Sequence, residues 1–209
     1  MNGPLWLPVG ALALAGGAAG VAVRARNQPL FHRVLAVGPS MSAAAWYLLG
    51  IAGVAITETA AGSVFWGRYA DGIVTIPLLT VGLATLAGAP RRSTTVATVL
   101  AAASMAATLG ATLATGAQKL VLTVLAALLF GGVLWMLVGP LAPDTATRGI
   151  RRLRAYVVTL WLTYPVLWAL SPAGLAIGPG LPLTWPAVVL DVLLKVGWGY
   201  LFTGIPDGR

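Results

Sequence analysis

Residues 184–204 read TWPAVVLDVLLKVGWGYLFTG. The run is long and apolar enough for a helix to cross the hydrocarbon core of a bilayer, which takes about 20 residues. It also carries an acid and a base, Asp191 and Lys195, spaced i and i+4 and therefore on one helix face. Ionisable groups inside a span are costly and mark function by default. A span that keeps two of them sets the terms on which the rest of the chain is read.

Outward from this stretch, six more runs of similar length appear, at about 4–23, 34–56, 66–88, 94–115, 119–140 and 154–171. The breaks carry turn chemistry, as in Arg26-Asn27-Gln28-Pro29, Gly88-Ala89-Pro90-Arg91-Arg92, Pro143-Asp144 and Gly178-Pro179-Gly180. The fourth run is mostly Ala, Thr and Gly, which suits a tight helix interface. Composition agrees: 58% of residues are hydrophobic and 9% charged, where soluble domains carry about 25% charged. With no cysteine, disulfides and thiolate metal sites are excluded, and one histidine, His32, cannot form a zinc or iron cluster. The net charge of +8 comes from short basic clusters between apolar runs. No aromatic-interleaved basic face exists, so nucleic acid is not an expected partner. Met1-Asn2-Gly3-Pro4 lacks the positive region of a secretory signal. No repeat of fixed period is evident. The expectation is an all-α membrane protein, a seven-transmembrane-helix bundle forming one domain over residues 1–209, multi-pass in the cell membrane.

Orientation follows from Lys and Arg. The first loop holds Arg24, Arg26 and Arg33; the third Arg91 and Arg92; the fifth Arg148, Arg151, Arg152 and Arg154; and the C-terminus Arg209. The even loops hold only Lys119. This split predicts an N-terminus outside and a C-terminus in the cytoplasm.

Glu58, Asp144 and Asp207 fall in loops or at ends, while Arg68, Asp71, Asp191 and Lys195 fall in spans. Their charges sum to zero, and a buried ion without a partner is the expensive case, so they are expected to form one cluster. Arg68 and Asp71 are spaced i and i+3, and Thr75 continues the Asp71 face one turn further in. The third and seventh spans run the same way, which predicts Asp71 and Asp191 at similar depth, Lys195 nearer the cytoplasm and Arg68 nearer the outside. The bland alternative is an ion network that only ties two helices together. A buried lysine is also a natural Schiff-base former. Trp161, Tyr164 and Trp168, at i, i+3 and i+7, give one aromatic helix face. A packing stripe or interfacial belt is the competing reading, and suits Trp6, Trp185 and Tyr200 near span ends better.

Three motifs carry a resemblance. Arg68-Tyr69-Ala70-Asp71 with Thr75 and Pro77-Leu78-Leu79 resembles the third helix of bacteriorhodopsin and its relatives. Leu160-Trp161-Leu162-Thr163-Tyr164-Pro165-Val166-Leu167-Trp168 resembles their sixth, and Leu190-Asp191-Val192-Leu193-Leu194-Lys195-Val196-Gly197 their seventh. The order and spacing match, and the likeness covers nearly the whole chain. Pro39, Trp46 and Met105 fit more loosely.

The resemblance to the microbial rhodopsin family implies all-trans retinal held covalently on Lys195 as a protonated Schiff base. Asp71 is then the primary counterion and proton acceptor, Asp191 the second counterion, and Arg68 the balance for both carboxylates. Thr75 is implied to hydrogen-bond Asp71. Trp161, Tyr164, Pro165 and Trp168 are implied to line the retinal pocket, with Tyr69, Leu79 and Met105 adding to it. Gly72 departs from the pattern, since the family usually has a tryptophan there facing Trp161. It either admits a neighbouring side chain or leaves a small cavity.

Gly82 occupies the position where the best-known outward pump carries its cytoplasmic donor carboxylate, and Ala173 and Leu183 replace that pump's external carboxylates. Glu58 alone remains as an outer acidic candidate. The expected behaviour is light-driven outward proton transport with slow reprotonation, limited by water entry; a related group of pumps shares Asp-Thr-Gly at these positions. The rival is a phototaxis-type sensor signalling to a membrane transducer, which Leu137-Val138-Gly139-Pro140 resembles and which Val189 and Leu194 weaken. Asp71 argues against a chloride pump. A retinal-free proton-coupled transporter is a third reading, weakened by the absence of an inverted repeat. The implied partners are the lipid bilayer, retinal and protons, with a homo-oligomer or a membrane transducer as further candidates.

Overall fold

The computed structural model describes residues 6–59, 62–142, 146–177 and 184–205. The expectations placed on Pro143-Asp144, Gly178-Pro179-Gly180, Leu183, Asp207 and Arg209 lie outside the described residues. Seven helices form: α1 (Trp6–Arg24), α2 (Leu30–Ile51), α3 (Gly67–Leu86), α4 (Arg91–Leu113), α5 (Gly116–Val138), α6 (Arg148–Leu170) and α7 (Thr184–Phe202). All seven are long and apolar enough to cross a membrane. Large aliphatic side chains such as Leu12, Leu128 and Val121 face outward. That inversion of the soluble pattern gives lipid an apolar surface, while the helical hydrogen bonds satisfy the backbone groups within each span. The protein is a multi-pass membrane protein.

Two short connections use the same device. After α2, Val54 N–H donates to the Leu49 carbonyl at 3.0 Å with Gly53 at φ 76°. After α3, Ala89 N–H donates to the Ala84 carbonyl at 2.9 Å with Gly88 at φ 62°. Both are Schellman-type ends, in which a left-handed residue satisfies the last carbonyls.

Three limits differ from the sequence reading. The second span was expected to reach about residue 56, but Gly53 stops α2 at Ile51, and an antiparallel hairpin follows, β1 (Ile56–Thr59) with β2 (Gly62–Phe65), Ile56 opposite Phe65. Hydropathy alone does not separate the apolar stretch 52–56 from the helix before it. The sixth span was expected from about 154, yet α6 begins at Arg148, capped by Thr147 Oγ1 accepting from Ile150 N–H at 3.4 Å. Arginine is a good helix former whose long stem keeps its charge at the interface, so the basic turn stays helical. Lys119, assigned to a loop, sits in the first turn of α5 and donates to the Ala173 carbonyl at 2.8 Å.

Sequential helices are neighbours from α1 through α5, and α7 closes the bundle against α1, α2 and α6 while α3 touches α6. The larger buried cluster joins Leu79, Leu83, Leu137, Val157, Trp161, Leu194, Trp198 and Phe202. A smaller one joins Leu14, Ala43, Tyr47 and Val188. α7 lies very close to α1 and α2: a Cβ on Gly199 would stand 2.7 Å from Val21 Cγ2 and 2.8 Å from the Ala36 carbonyl oxygen. The backbone oxygen cannot step aside. Gly199→Ala is therefore expected to lower stability by about 1–3 kcal/mol, whereas Gly16→Ala, with nothing within 4 Å, leaves it unchanged or higher. Unfolding of the two variants in detergent, compared with the parent, measures this.

Candidate functional site

The i, i+4 spacing on α7 works as expected: Lys195 Nζ lies 3.0 Å from Asp191 Oδ1. Across the interior it lies 2.5 Å from Asp71 Oδ2 on α3. All three side chains are almost fully buried, at 4%, 3% and 2% exposed for Lys195, Asp191 and Asp71. Arg68, one turn before Asp71, places Nε 3.5 Å from Asp191 Oδ2 and its guanidinium carbon 5.9 Å from the centre of the Tyr164 ring. The two cations and two anions form the single cluster that charge balance required.

The carboxylates differ in their remaining donors. Asp191 accepts the Tyr47 hydroxyl at 2.6 Å on Oδ2 and the Tyr164 hydroxyl at 2.7 Å on Oδ1. Among the described residues Asp71 accepts only the Ser42 hydroxyl, at 2.7 Å on Oδ1, besides Lys195. Asp191 is thus held by α2, α3, α6 and α7 together. Phe65 of β2 covers this side of the site, its ring 5.4 Å from that of Tyr47 and edge-on.

Two expected roles are corrected. Thr75 was implied to bond Asp71, but its Oγ1 is buried without a partner among the described residues, and Ser42 supplies the hydroxyl instead. Arg68 was implied to balance both carboxylates; its ion pair is with Asp191. Sequence reasoning also missed Tyr47, although a buried tyrosine in mid-span needs a partner for its hydroxyl and was a readable signal.

The aromatic face of α6 divides. Trp161 is buried, with Nε1 lacking a partner among the described residues. Tyr164 turns to Asp191, and Trp168 Nε1 donates to Thr112 Oγ1 on α4 at 3.0 Å. Thr112 lies in the last turn of α4, which places Trp168 against that end of the helix. Pro165 is exposed, which corrects its expected place in the pocket. The inward face of α6 runs through Val157, Trp161, Tyr164 and Trp168, and Pro165 lies off its edge. Leu79 is fully buried in the same main cluster as Trp161. At Gly72 a Cβ would fall on the end of the Met105 side chain, so α4 methionine occupies the space left by the missing wall. At Gly82 a Cβ would stand 2.8 Å from Trp198 Cη2 and 3.2 Å from Phe202 Cε2. Two aromatic rings fill the place where a donor carboxylate was sought.

A buried lysine between two carboxylates, on the seventh of seven spans, is the arrangement the three motifs anticipated. The family described as bacteriorhodopsin-like protein matches residues 5–205. The chain belongs to that family.

Among its bacteriorhodopsin-like relatives, a sensory rhodopsin-2 of Natronomonas pharaonis is 34% identical over 176 residues, covering 81% of this chain and 74% of that protein. A bacteriorhodopsin of Haloterrigena sp. is 33% identical over 225 residues, covering 94% and 85%. A thermophilic rhodopsin from Rubrobacter xylanophilus superposes with a TM-score of 0.84 at 28% identity, over 96% of this chain and 94% of that one. A cyanorhodopsin from Tolypothrix sp. NIES-4075 shares the fold, with a TM-score of 0.88 at 24% identity over 98% and 94%.

The Ser42 assignment is open to test. A hydrogen bond to a buried charged group contributes about 1.5–3 kcal/mol. Ser42→Ala is expected to lose stability in that range and Thr75→Val to lose less than about 0.5 kcal/mol, as read from unfolding in detergent. The reverse order would return the hydroxyl role to Thr75.

Proposed function

We propose that this chain is a light-driven outward proton transporter carrying all-trans retinal on Lys195. The carrying observation is the unequal support of the two carboxylates around Lys195 Nζ. The residues suit the group: a buried primary amine between Asp71 and Asp191, a buried Trp161, Leu79 alongside, and a Gly72 recess occupied by the flexible side chain of Met105. Retinal bound there supplies light absorption and the change of shape that turns the nitrogen's proton.

The chain's own residues account for the rest. Lys195 Nζ holds the proton and Asp71 Oδ2, at 2.5 Å, faces it. Once that pairing weakens, Asp71 keeps only Ser42, whereas Asp191 keeps Tyr47, Tyr164 and Arg68. A buried anion short of donors gains most from protonation, so Asp71 is the acceptor and Asp191 the lasting anion. The arginine-rich end faces the cytoplasm by the positive-inside rule. Return of a proton from that end is slow, because Trp198 and Phe202 fill the Gly82 recess.

A sensory role is the second reading, favoured by the similarity to a sensory rhodopsin-2. Val189 faces outward and Leu194 is fully buried in the core, which gives little polar surface for a transducer at these positions.

Expressed with all-trans retinal, the parent is expected to be coloured and Lys195→Ala colourless in visible absorption; a coloured alanine variant would remove Lys195 from its role. Asp71→Asn is expected to shift absorption to the red and to abolish light-driven proton movement. Illumination of cells in unbuffered medium separates the readings: acidification that a protonophore abolishes is expected for a pump, and no pH change for a sensor.

A further inference from the structure

At the arginine-rich end of the bundle a cleft of about 540 Å³ opens over the end of α3, between Phe31 of α2 and Arg91 of α4. The residues of α3 and its following turn that floor it are mostly small: Ala84, Thr85, Gly88 and Ala89. Short side chains on the middle helix stand between a phenyl ring and an arginine on its two neighbours, and the depression follows from that difference in size.

The cleft faces lipid. Val81 and Thr85 follow Val74 at i+7 and i+11, which keeps them on one face of α3, and Val74 is 48% exposed. On α2, Phe31 opens a stripe with Val34, Met41 and Leu48, all large, apolar and exposed. On α4, Arg91 and Thr95 lead at i+4 steps to the exposed Val99. In a membrane these three faces meet acyl chains. The cleft is therefore the interfacial end of a lipid-facing groove that runs over α3.

Its chemistry changes with depth. From Gly88 to Val81 is seven residues, about 10 Å along the axis at 1.5 Å per residue. Arg91 and Thr95 stand at the mouth, while Val81 and Ala84 make the deep end apolar. The hydroxyls of Thr85 and Thr94 already donate to the Val81 and Pro90 carbonyls, at 2.8 and 3.1 Å. Arg91 makes no ion pair among the described residues. The described carboxylates are all elsewhere: Glu58 is in the hairpin before α3, and Asp71 and Asp191 lie in the outer halves of α3 and α7. An occupant with a negative head at the helix ends and an apolar tail reaching about 10 Å inward complements both parts. Basic pockets between spans on the cytoplasmic side are suited to anionic headgroups.

We propose that this cleft is a binding site for an anionic phospholipid. Its phosphate pairs with the Arg91 guanidinium, and one acyl chain lies over α3 along Ala84 and Val81, flanked by Phe31. A zwitterionic lipid brings the same chain without the net charge, so Arg91 makes the site selective. Free phosphate brings the charge without the chain. A lipid seated there touches α2, α3 and α4 together. The site is separate from the Lys195 cluster and does not depend on what Lys195 carries.

The test uses the full chain in bilayers of phosphatidylcholine with a minor fraction of phosphatidylglycerol, and native mass spectrometry counts the lipid that stays bound on release. The parent is expected to retain phosphatidylglycerol well beyond its share of the bilayer. Arg91→Gln is expected to reduce that preference about fivefold, the worth of one basic residue near a membrane surface. Thr85→Phe fills the cleft from an exposed position, leaves Arg91 in place and is expected to reduce retention to a similar extent. Arg26→Gln removes an arginine of the same end that does not line the cleft, and is expected to leave the preference as in the parent. Equal losses for Arg26→Gln and Arg91→Gln would mean diffuse attraction to the whole end and overturn the site. Undiminished retention in Thr85→Phe overturns the seat of the chain. Release of phosphatidylglycerol by excess inorganic phosphate makes this a site for free anions and overturns the lipid. Each variant is compared with the parent at matched unfolding temperature in detergent, and Arg91→Gln decides alone if Thr85→Phe does not fold.

Discussion

An ammonium group held deep in hydrocarbon is the constraint from which the rest of the site follows. Lys195 is almost fully buried. It is tolerable only because Asp191, one turn back on α7, and Asp71, across on α3, both lie against its nitrogen. Two anions around one cation would leave an excess of charge, and Arg68 removes it. Removing one partner from such a buried set costs about 3–5 kcal/mol. The need to keep these groups at one depth therefore fixes how far α3 slides along α7, and the hydroxyls of Ser42, Tyr47 and Tyr164 draw in α2 and α6.

The same cluster shows how an interaction that holds the bundle together can also be biased. Asp191 is over-determined: two phenols, a guanidinium and an ammonium surround it. Asp71 has one hydroxyl besides the ammonium. A pair of identical carboxyl groups is thereby made unequal by neighbours alone, and in the proposed transfer a proton leaving the nitrogen meets one acceptor that benefits and one that does not. Glycine shapes the surroundings at two positions, each by giving its space to another residue. Gly72 yields to the flexible Met105 and Gly82 to the flat rings of Trp198 and Phe202. The first softens one wall of the interior, and the second closes the arginine-rich half with apolar surface.

Much of this was legible in the chain. Seven long apolar runs had few other fates, since a lipid-exposed segment must satisfy its own backbone as a helix. The four intramembrane charges stood out against a composition with 9% charged residues, and their pairing followed from helical spacing and electroneutrality. The hairpin between α2 and α3 was not legible, because four-residue strands carry too short a pattern to separate from an adjoining apolar helix. Nor was the early start of α6, where basic residues read as loop although they propagate helix well. Thr75 was assigned to Asp71 on the strength of one shared helix face; the hydroxyl that reaches the carboxylate comes from Ser42 on a neighbouring helix.

By itself the sequence determined the membrane-spanning class, the number of spans, the lysine that matters and the charges that must meet it. These depend on periodicities and costs that act within one helix or on the whole chain: length against bilayer thickness, i to i+4 spacing, and the expense of an unpaired ion. Which hydroxyl serves which carboxylate, which ring occupies the space left by a glycine, and which face of α6 turns inward were decided only by tertiary structure. Those outcomes depend on the rotation and slide of one helix against another to within an ångström or two, and a hydrogen bond that ends beyond about 3.2 Å is hardly a bond.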